Sequence, residues 1–328
     1  MSVRAVGGDC RPADGLQRER LLGAVRFAAG EPNAVAPDWP EVRVPLVPLA
    51  GSADAELWIG SAPARHGRLG SVAYGHDGTV LFACCRCLEP PQESPEHITH
   101  RAYRELLAAV RQLGYPHLLR VWNYFPDING ELAGLECYQR FSLGRYQAFE
   151  EAGYRCGSDL PAASAVGSRG AGGYCIYMLA ARNPGLQIEN PRQLSAYRYP
   201  AQYGPRSPSF SRATLAEFGG EQLLFVSGTA SIAGHASLHP GDPEAQLAET
   251  LLNIQTLLDQ PALRRRRALA ELGADGSFKV YLRHADLAGT VRRHLSAALA
   301  PESPVICLEG DICRGDLLLE IEAVIRLR

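Results

Sequence analysis

Gln222-Leu223-Leu224-Phe225-Val226, followed at once by Ser227-Gly228-Thr229-Ala230-Ser231, decides the fold. An apolar run the length of a buried strand ends there in small, tight-turning residues. Beyond Pro240-Gly241-Asp242-Pro243, residues Leu247, Leu251, Ile254 and Leu258 recur at helical spacing, with Asp242 or the proline after it as start signal. Residues 278–282 make the next strand, and residues 286–300 a second helix with Leu287, Val291, Leu295 and Leu299 on one side. Residues 317–325 close the series, so the order is strand, helix, strand, helix, strand.

The same order stands upstream in different residues: a strand at 79–84, a helix at 100–113, a strand at 118–124 and a second helix at 144–152. Leu119-Arg120-Val121-Trp122-Asn123-Tyr124-Phe125-Pro126-Asp127 falls where Phe278-Lys279-Val280-Tyr281-Leu282-Arg283-His284-Ala285-Asp286 falls in the second copy. A boundary near residue 155 then divides the chain into an N-terminal domain, 1–155, and a C-terminal domain, 156–328. The Gly-, Ser- and Ala-rich stretch 158–173 reads as linker or loop, and 174–181 and 186–196 as opening strands of the second domain. Helices packed on one face of each mixed sheet make this an α+β protein.

A chain of 328 residues buries a sizeable core, and its formal net charge of −2 provides no global field toward nucleic acid or anionic lipid. The longest apolar stretches, such as 174–181 and 223–226, are far short of the roughly 20 residues of a membrane helix. Residues 1–20 mix Arg, Asp, Glu and Gly without an apolar segment, which argues against a secretory signal and for the cytoplasm. Nine cysteines in so long a chain read as reduced thiols, not as a disulfide framework. Cys84, Cys85 and Cys87 have no second ligand pair after them, so a strand of small buried thiols is preferred to a zinc site.

The second copy resembles the RidA, or YjgF, family in an ordered set of residues: Phe225-Val226-Ser227-Gly228, Gly234, Gln246 and Asn253 on the helix, and Leu318-Leu319-Glu320-Ile321-Glu322-Ala323. Three further segments carry a likeness over the whole length: Tyr203-Gly204-Pro205-Arg206-Ser207-Pro208-Ser209-Phe210-Ser211-Arg212, Ser227 to His235, and Cys313-Arg314-Gly315-Asp316-Leu317-Leu318-Leu319-Glu320. In these the chain resembles the chorismatase family, whose members combine two RidA-like halves. The resemblance implies two RidA/YjgF-like (chorismate-mutase-like) domains and cleavage of chorismate. Subgroups of the family release a dihydroxylated cyclohexadiene carboxylate, 3-hydroxybenzoate, or 3- and 4-hydroxybenzoate together. Cys313, where the diene-forming subgroup carries a non-thiol, points to a hydroxybenzoate former, and the overall wording is closest to the mixed type. That type implies a quinone or aryl-polyene pigment precursor role.

Chorismate carries two carboxylates, which call for two fixed cationic clamps, and arginine's planar fork suits them. The candidates are Arg145 with Tyr138, and Arg206 and Arg212 in a proline-restricted loop with Tyr197 nearby; solvated surface arginine is the alternative at each. Cleavage needs a proton at the enolpyruvyl methylene. By resemblance Glu320 delivers it, provided that burial or a neighbouring carboxylate raises its pKa. Glu322 points to the same face of a strand, and an exposed glutamate pair is the alternative. Cys313 would lie near the ring and steer it toward the aromatic product, by excluding water or accepting a proton; a buried filler is the alternative.

Arg264 to Arg267 reads as a solvated helix end, since nothing aromatic interleaves it. His97 and His100 lack a third metal partner, and His235 receives no role. No Gly-rich phosphate loop, dinucleotide fingerprint or metal constellation is present, so no cofactor is implied. The expected partner is the small-molecule substrate alone, on a monomer whose two domains pair internally. An imine or enamine deaminase and a small-acid-sensing module are the rival readings. Two such units in one chain, with extra loops, weigh against both.

Overall fold

The computed structural model describes residues 1–7, 15–28, 38–49, 51–87, 93–169 and 173–327. The chain begins with β1 (Ser2–Val6), a short helix α1 (Gly15–Glu19), β2 (Leu21–Phe27), β3 (Glu41–Val44), β4 (Val47–Pro48) and β5 (Ala55–Ile59). Four of these strands form a small sheet in the order β1-β5-β2-β3. There follow β6 (Arg65–Leu69), β7 (Val72–His76), β8 (Val80–Cys87), α2 (Pro95–Gln112), β9 (His117–Pro126), the hairpin β10 (Glu131–Leu132) and β11 (Leu135–Glu136), α3 (Cys137–Glu151), β12 (Ala162–Ser168) and β13 (Tyr174–Ala181). This part builds a six-stranded sheet, β12-β9-β13-β8-β7-β6.

The remainder runs β14 (Leu186–Ile188), β15 (Ala213–Phe218), β16 (Glu221–Thr229), the hairpin β17 (Ile232–Ala233) and β18 (Ala236–Ser237), α4 (Pro243–Leu258), β19 (Gly276–Leu282), α5 (Ala288–Ala298), β20 (Val305–Glu309) and β21 (Leu319–Leu327). It forms a second sheet in the order β14-β15-β16-β21-β19-β20, extended at its far edge by β4 from the N-terminal part. The two sheets share one strand order. In each, a parallel neighbour follows the second helix, β12 beside β9 and β20 beside β19. In each, the last strand returns antiparallel between the third strand and the fourth, β13 between β8 and β9, and β21 between β16 and β19.

This pairing corrects the boundary read near residue 155. The strand at 174–181 does not open the second sheet; it closes the first, as one of its central strands. Its eight residues are all buried, as an unbroken apolar run requires when both faces are covered. Within the stretch read as linker, 158–173, residues 162–168 are likewise strand, the edge strand β12, while residues 170–172 lie outside the described residues. The small residues of β12 let it approach the second half closely: Ala162 N donates to Thr214 Oγ1 and Ala163 N to Ser227 Oγ, each at 2.8 Å. Of the segment 186–196, only Leu186–Ile188 is strand.

Helix α4 begins as its signal predicts. The Asp242 carboxylate accepts from the backbone N–H groups of Glu244 and Ala245 at 3.1 and 3.0 Å, with Pro243 in the first turn. It packs with α5 on the outer face of the second sheet through Leu247, Ile254, Leu258, Val291 and Leu295. Ile98, Tyr103 and Leu106 of α2 and Phe141 and Phe149 of α3 cover the outer face of the first. The inner faces of both sheets and the small N-terminal sheet share a third core, with Trp58, Trp122, Tyr177, Phe225 and Tyr281 among its members. No helix among the described residues is long and apolar enough to cross a membrane.

Candidate active site

Strand alternation places the chemistry. Leu319, Ile321, Ala323 and Ile325 of β21 point toward α4 and α5, so Glu320 and Glu322 point into the layer between the sheets. Neither carboxyl is solvated, at 4% and 3% exposure, and the two meet different surroundings. Glu322 accepts from Trp122 Nε1 and Ser164 Oγ, each at 2.6 Å, and forms ion pairs with Arg120 at 2.9 Å and Lys279 at 2.8 Å. Burial pushes its pKa upward, but Lys279 and Arg120 outweigh that and hold it below the ordinary value, so it is an anion.

Glu320 has no such partners; its Oε1 is buried with no hydrogen-bond partner. Burial first, and the Glu322 anion second, raise its pKa to about 8 against the opposing pull of Arg120. At neutral pH it carries a proton. Gly228 opposite it leaves room for the carboxyl, since a Cβ there would lie 1.9 Å from Glu320 Oε1 and displace it.

Glu320 lines a cavity of about 230 Å³ enclosed by both halves of the chain. Ala163, Ser164 and Ala165 of β12 form one wall; Gly228, Ala230 and Ile232 of the second half form another. Helix α3 contributes Tyr138 and Arg145, and the loop ahead of β15 contributes Tyr199, Phe210 and Arg212. The loop ahead of β21 adds Cys313 and Arg314. That loop is pinned by Arg283, whose guanidinium donates to the carbonyls of Ile312, Arg314 and Leu317 at 2.8 to 3.0 Å. Gln246 fixes its far end, donating to Asp316 O and accepting from Leu318 N, each at 2.8 Å.

Three guanidiniums therefore face one cavity. Arg145 is 1% exposed, lies over the Phe141 ring, and has neither Nε nor Nη2 matched to an acceptor. Two buried donors without acceptors beside a cavity fit the two oxygens of a carboxylate. Arg212 is held between the Tyr199 and Phe210 rings while its Nη2 donates to Leu194 O and Tyr199 Oη at 2.7 Å. Its Nε has no acceptor. Arg314 stacks on Tyr203 at 4.2 Å and donates to His235 O at 2.8 Å.

Of the residues singled out in the sequence, the fold gathers Glu320, Cys313, Tyr138, Arg145 and Arg212 around this cavity. It does not bring Arg206 or Tyr197 there. Arg206 is exposed and lies over the Tyr146 ring, and Tyr197 packs at the edge of the core under α2 and α3. Tyr199 and Arg314, which the sequence does not single out, line the cavity where Tyr197 and Arg206 were expected. His235 contributes its carbonyl, which also accepts from Tyr203 Oη at 2.7 Å. The Cys313 thiol is pushed up to about 12 by burial and by Glu320, so at neutral pH it is neither a thiolate nor a base. Cys84 and Cys85 belong to cores on opposite faces of β8 and so do not converge. Among the described residues no group of three or more His, Cys, Asp or Glu side chains is arranged to hold a metal ion.

Comparison with known proteins bears on the same architecture. Residues 56–180 match the family model described as chorismatase FkbO/Hyg5-like, N-terminal, a span that ends within β13 as the first sheet closes. A 3-hydroxybenzoate synthase of Streptomyces hygroscopicus is 37% identical over 93% of this chain and 91% of its own. A chorismatase of Streptomyces rapamycinicus is 37% identical over 94% of this chain and 93% of its own. A crystal structure of a chorismatase superposes with a TM-score of 0.89 at 34% identity, covering 99% of this chain and 98% of the other. With likeness at this level along nearly all of its length, the chain belongs to the chorismatase family.

Proposed function

We propose that this enzyme cleaves chorismate to pyruvate and 3-hydroxybenzoate, with 4-hydroxybenzoate as a second product, and that Glu320 is its proton donor. The observation that carries the reading is a carboxyl held protonated at neutral pH in a cavity that also presents three guanidiniums for a dianionic substrate. The relatives named for chorismate cleavage and 3-hydroxybenzoate formation support it. The common strand order of the two sheets supports reading them as two RidA-like units, the first closing at Ala181.

Arg145, Arg212 and Arg314 bind the two carboxylates, with Tyr138 and Tyr199 beside them. Glu320 gives its proton to the enolpyruvyl methylene carbon, which leaves an oxocarbenium centre on the ether. The ring carbon–oxygen bond breaks with its electron pair going to oxygen, and pyruvate departs as the ketone. The cation lies on the carbon next to the one that bears the ring hydroxyl. Loss of the hydrogen from the hydroxyl-bearing carbon as a proton gives 4-hydroxybenzoate. For 3-hydroxybenzoate the hydroxyl oxygen bonds to the cationic carbon and loses its proton, forming an epoxide; the original carbon–oxygen bond then breaks, and the ring hydrogen on the carbon that now bears oxygen leaves as a proton while the oxygen takes one up. On balance one proton enters and one leaves, so no net water is consumed. Cys313, a neutral thiol at the wall, keeps water from the ring.

The test is incubation of the protein with chorismate, following pyruvate by a coupled assay and separating the aromatic acids by chromatography. Absence of pyruvate at every enzyme concentration sinks the reading. Because the donor must carry its proton, the rate should be flat below about pH 8 and fall about tenfold per pH unit above it. An alkaline limb near pH 5 would exclude Glu320 from the role. Cys313→Ala leaves space where the thiol stands. A dihydroxylated diene should then appear beside the hydroxybenzoates, with total pyruvate changed by less than about tenfold. An unchanged product profile would reduce Cys313 to a filler.

A further inference from the structure

The only lysine in the sequence, Lys279, is 3% exposed and lies away from the cavity in a chain of buried charge. Its Nζ contacts Glu56 of β5 at 2.9 Å, Glu322 of β21 at 2.8 Å and Tyr177 Oη of β13 at 2.8 Å. Glu322 passes the chain on to Arg120 of β9. The small N-terminal sheet and both large ones thus meet in one alternating series: Glu56, Lys279, Glu322, Arg120. A buried arrangement of this kind is usually no more stable than an apolar one of the same shape, so stability alone does not explain it. What the four groups do share is balance. Burial raises the Glu56 pKa against the pull of Lys279; taken as the carboxylate that its 2.9 Å ion pair with Lys279 calls for, Glu56 joins Glu322 in facing two cations, and the series is neutral only when Glu320, at its end, keeps its proton.

We infer that Glu56 and Lys279 are positioning residues for the reaction, holding Glu322 as a fixed anion so that ionisation of Glu320 would unbalance a desolvated cluster. The inference rests on Glu320 as proton donor. On its own strand Glu320 neighbours Glu322, and across the ladder it pairs with Tyr281 of β19, which is hydrogen-bonded to Tyr124 at 2.7 Å. Arg120 and Ser164 face it from the first sheet, and Cys313 from the loop before β21. Tyr138 and Arg145 face the same cavity from α3, as do Tyr199 and Arg212 from the loop ahead of β15, and Arg314. None of these is altered by a substitution at residue 56, which lies outside the cavity lining.

The experiment is the pH profile of kcat for pyruvate release in Glu56→Gln and in the double variant Glu56→Gln/Lys279→Met. Glu56→Gln leaves one cation in excess, which favours the Glu320 anion. The alkaline limb should move down by about one pH unit or more, so that the rate at pH 8 falls about fivefold or more while the rate at pH 6 is kept. Removing Lys279 as well restores the balance, and the limb should return toward its original position. A purely structural role predicts the reverse order, since the second loss would only add damage. Glu322→Gln, close to isosteric, should shift the limb in the same direction as Glu56→Gln and serves where the latter does not fold. Superimposable profiles for wild type and Glu56→Gln, or a double variant that folds and stays shifted, overturn the inference. An active Glu320→Gln sinks the proton-donor reading itself; an inactive one with unshifted Glu56 variants overturns only the charge balance.

Discussion

Glu320→Gln should abolish pyruvate release, by about 10³-fold or more in kcat, with little change in KM. Gln has the shape of the protonated carboxyl and keeps the contact with Gly228, but it has no acidic proton to deliver. The variant should also be more stable than the parent, and the gap should depend on pH in a defined direction. The Glu320 pKa is raised in the folded state, to about 8 from the 4.5 of a free carboxyl. The unfolded chain therefore ionises there while the folded chain still holds the proton, and parental stability falls as pH rises between those limits. Gln lacks this loss. Its melting temperature should match the parent's near pH 4.5 and exceed it increasingly up to pH 8, as the stability gap widens by about 1.4 kcal/mol per pH unit. Thermal unfolding of the pair at several pH values reads this directly. A variant that keeps a tenth of the parental rate would remove Glu320 from the chemistry.

Much of this site was legible because strand parity and helix phase are local. Two residues separate Glu320 from Glu322, and a strand sends both to one face whatever the rest of the chain does. Parity could not say that the face is interior, or that Glu322 meets two cations from strands distant in sequence. The sequence shows Lys279 as a lone lysine; the partner Glu56 comes 223 positions earlier, from a separate sheet. Loops carry no such periodicity. Between Ser195 and Arg212 the chain makes 3₁₀ turns at Ala196–Arg198 and Ala201–Tyr203, and these bring Tyr199, not Tyr197, to the cavity. Pro205 and Pro208 restrain the loop that carries Arg206, yet Arg206 stands outward over Tyr146. The strand β12 was hidden by composition: Ala162-Ala163-Ser164 reads as linker, and its small side chains serve close approach, which no periodicity reports.

Arg145→Met should separate binding from stability in the opposite sense to an ordinary core substitution. In the free protein the Arg145 guanidinium is buried with Nε and Nη2 lacking acceptors, a costly arrangement that a thioether of similar reach relieves. Phe141 beneath it offers an aromatic face that methionine packs against equally well. The melting temperature should therefore hold or rise. With substrate bound, the same two donors find the oxygens of a carboxylate, and their loss leaves that carboxylate buried and unpaired. Truncating one partner of such a pair costs about 2–5 kcal/mol, which is about 30- to 4,000-fold in kcat/KM. Because the contact is present before the reaction as well as during it, most of the loss should appear in KM, in contrast to Glu320→Gln. Arg145→Lys should recover little, since an ammonium cannot reproduce the fork. A kcat/KM within threefold of the parent would show that Arg212 and Arg314 suffice for both carboxylates. A fall in melting temperature of several degrees would show that the guanidinium stabilises the free enzyme, and that its unpaired donors are not reserved for substrate.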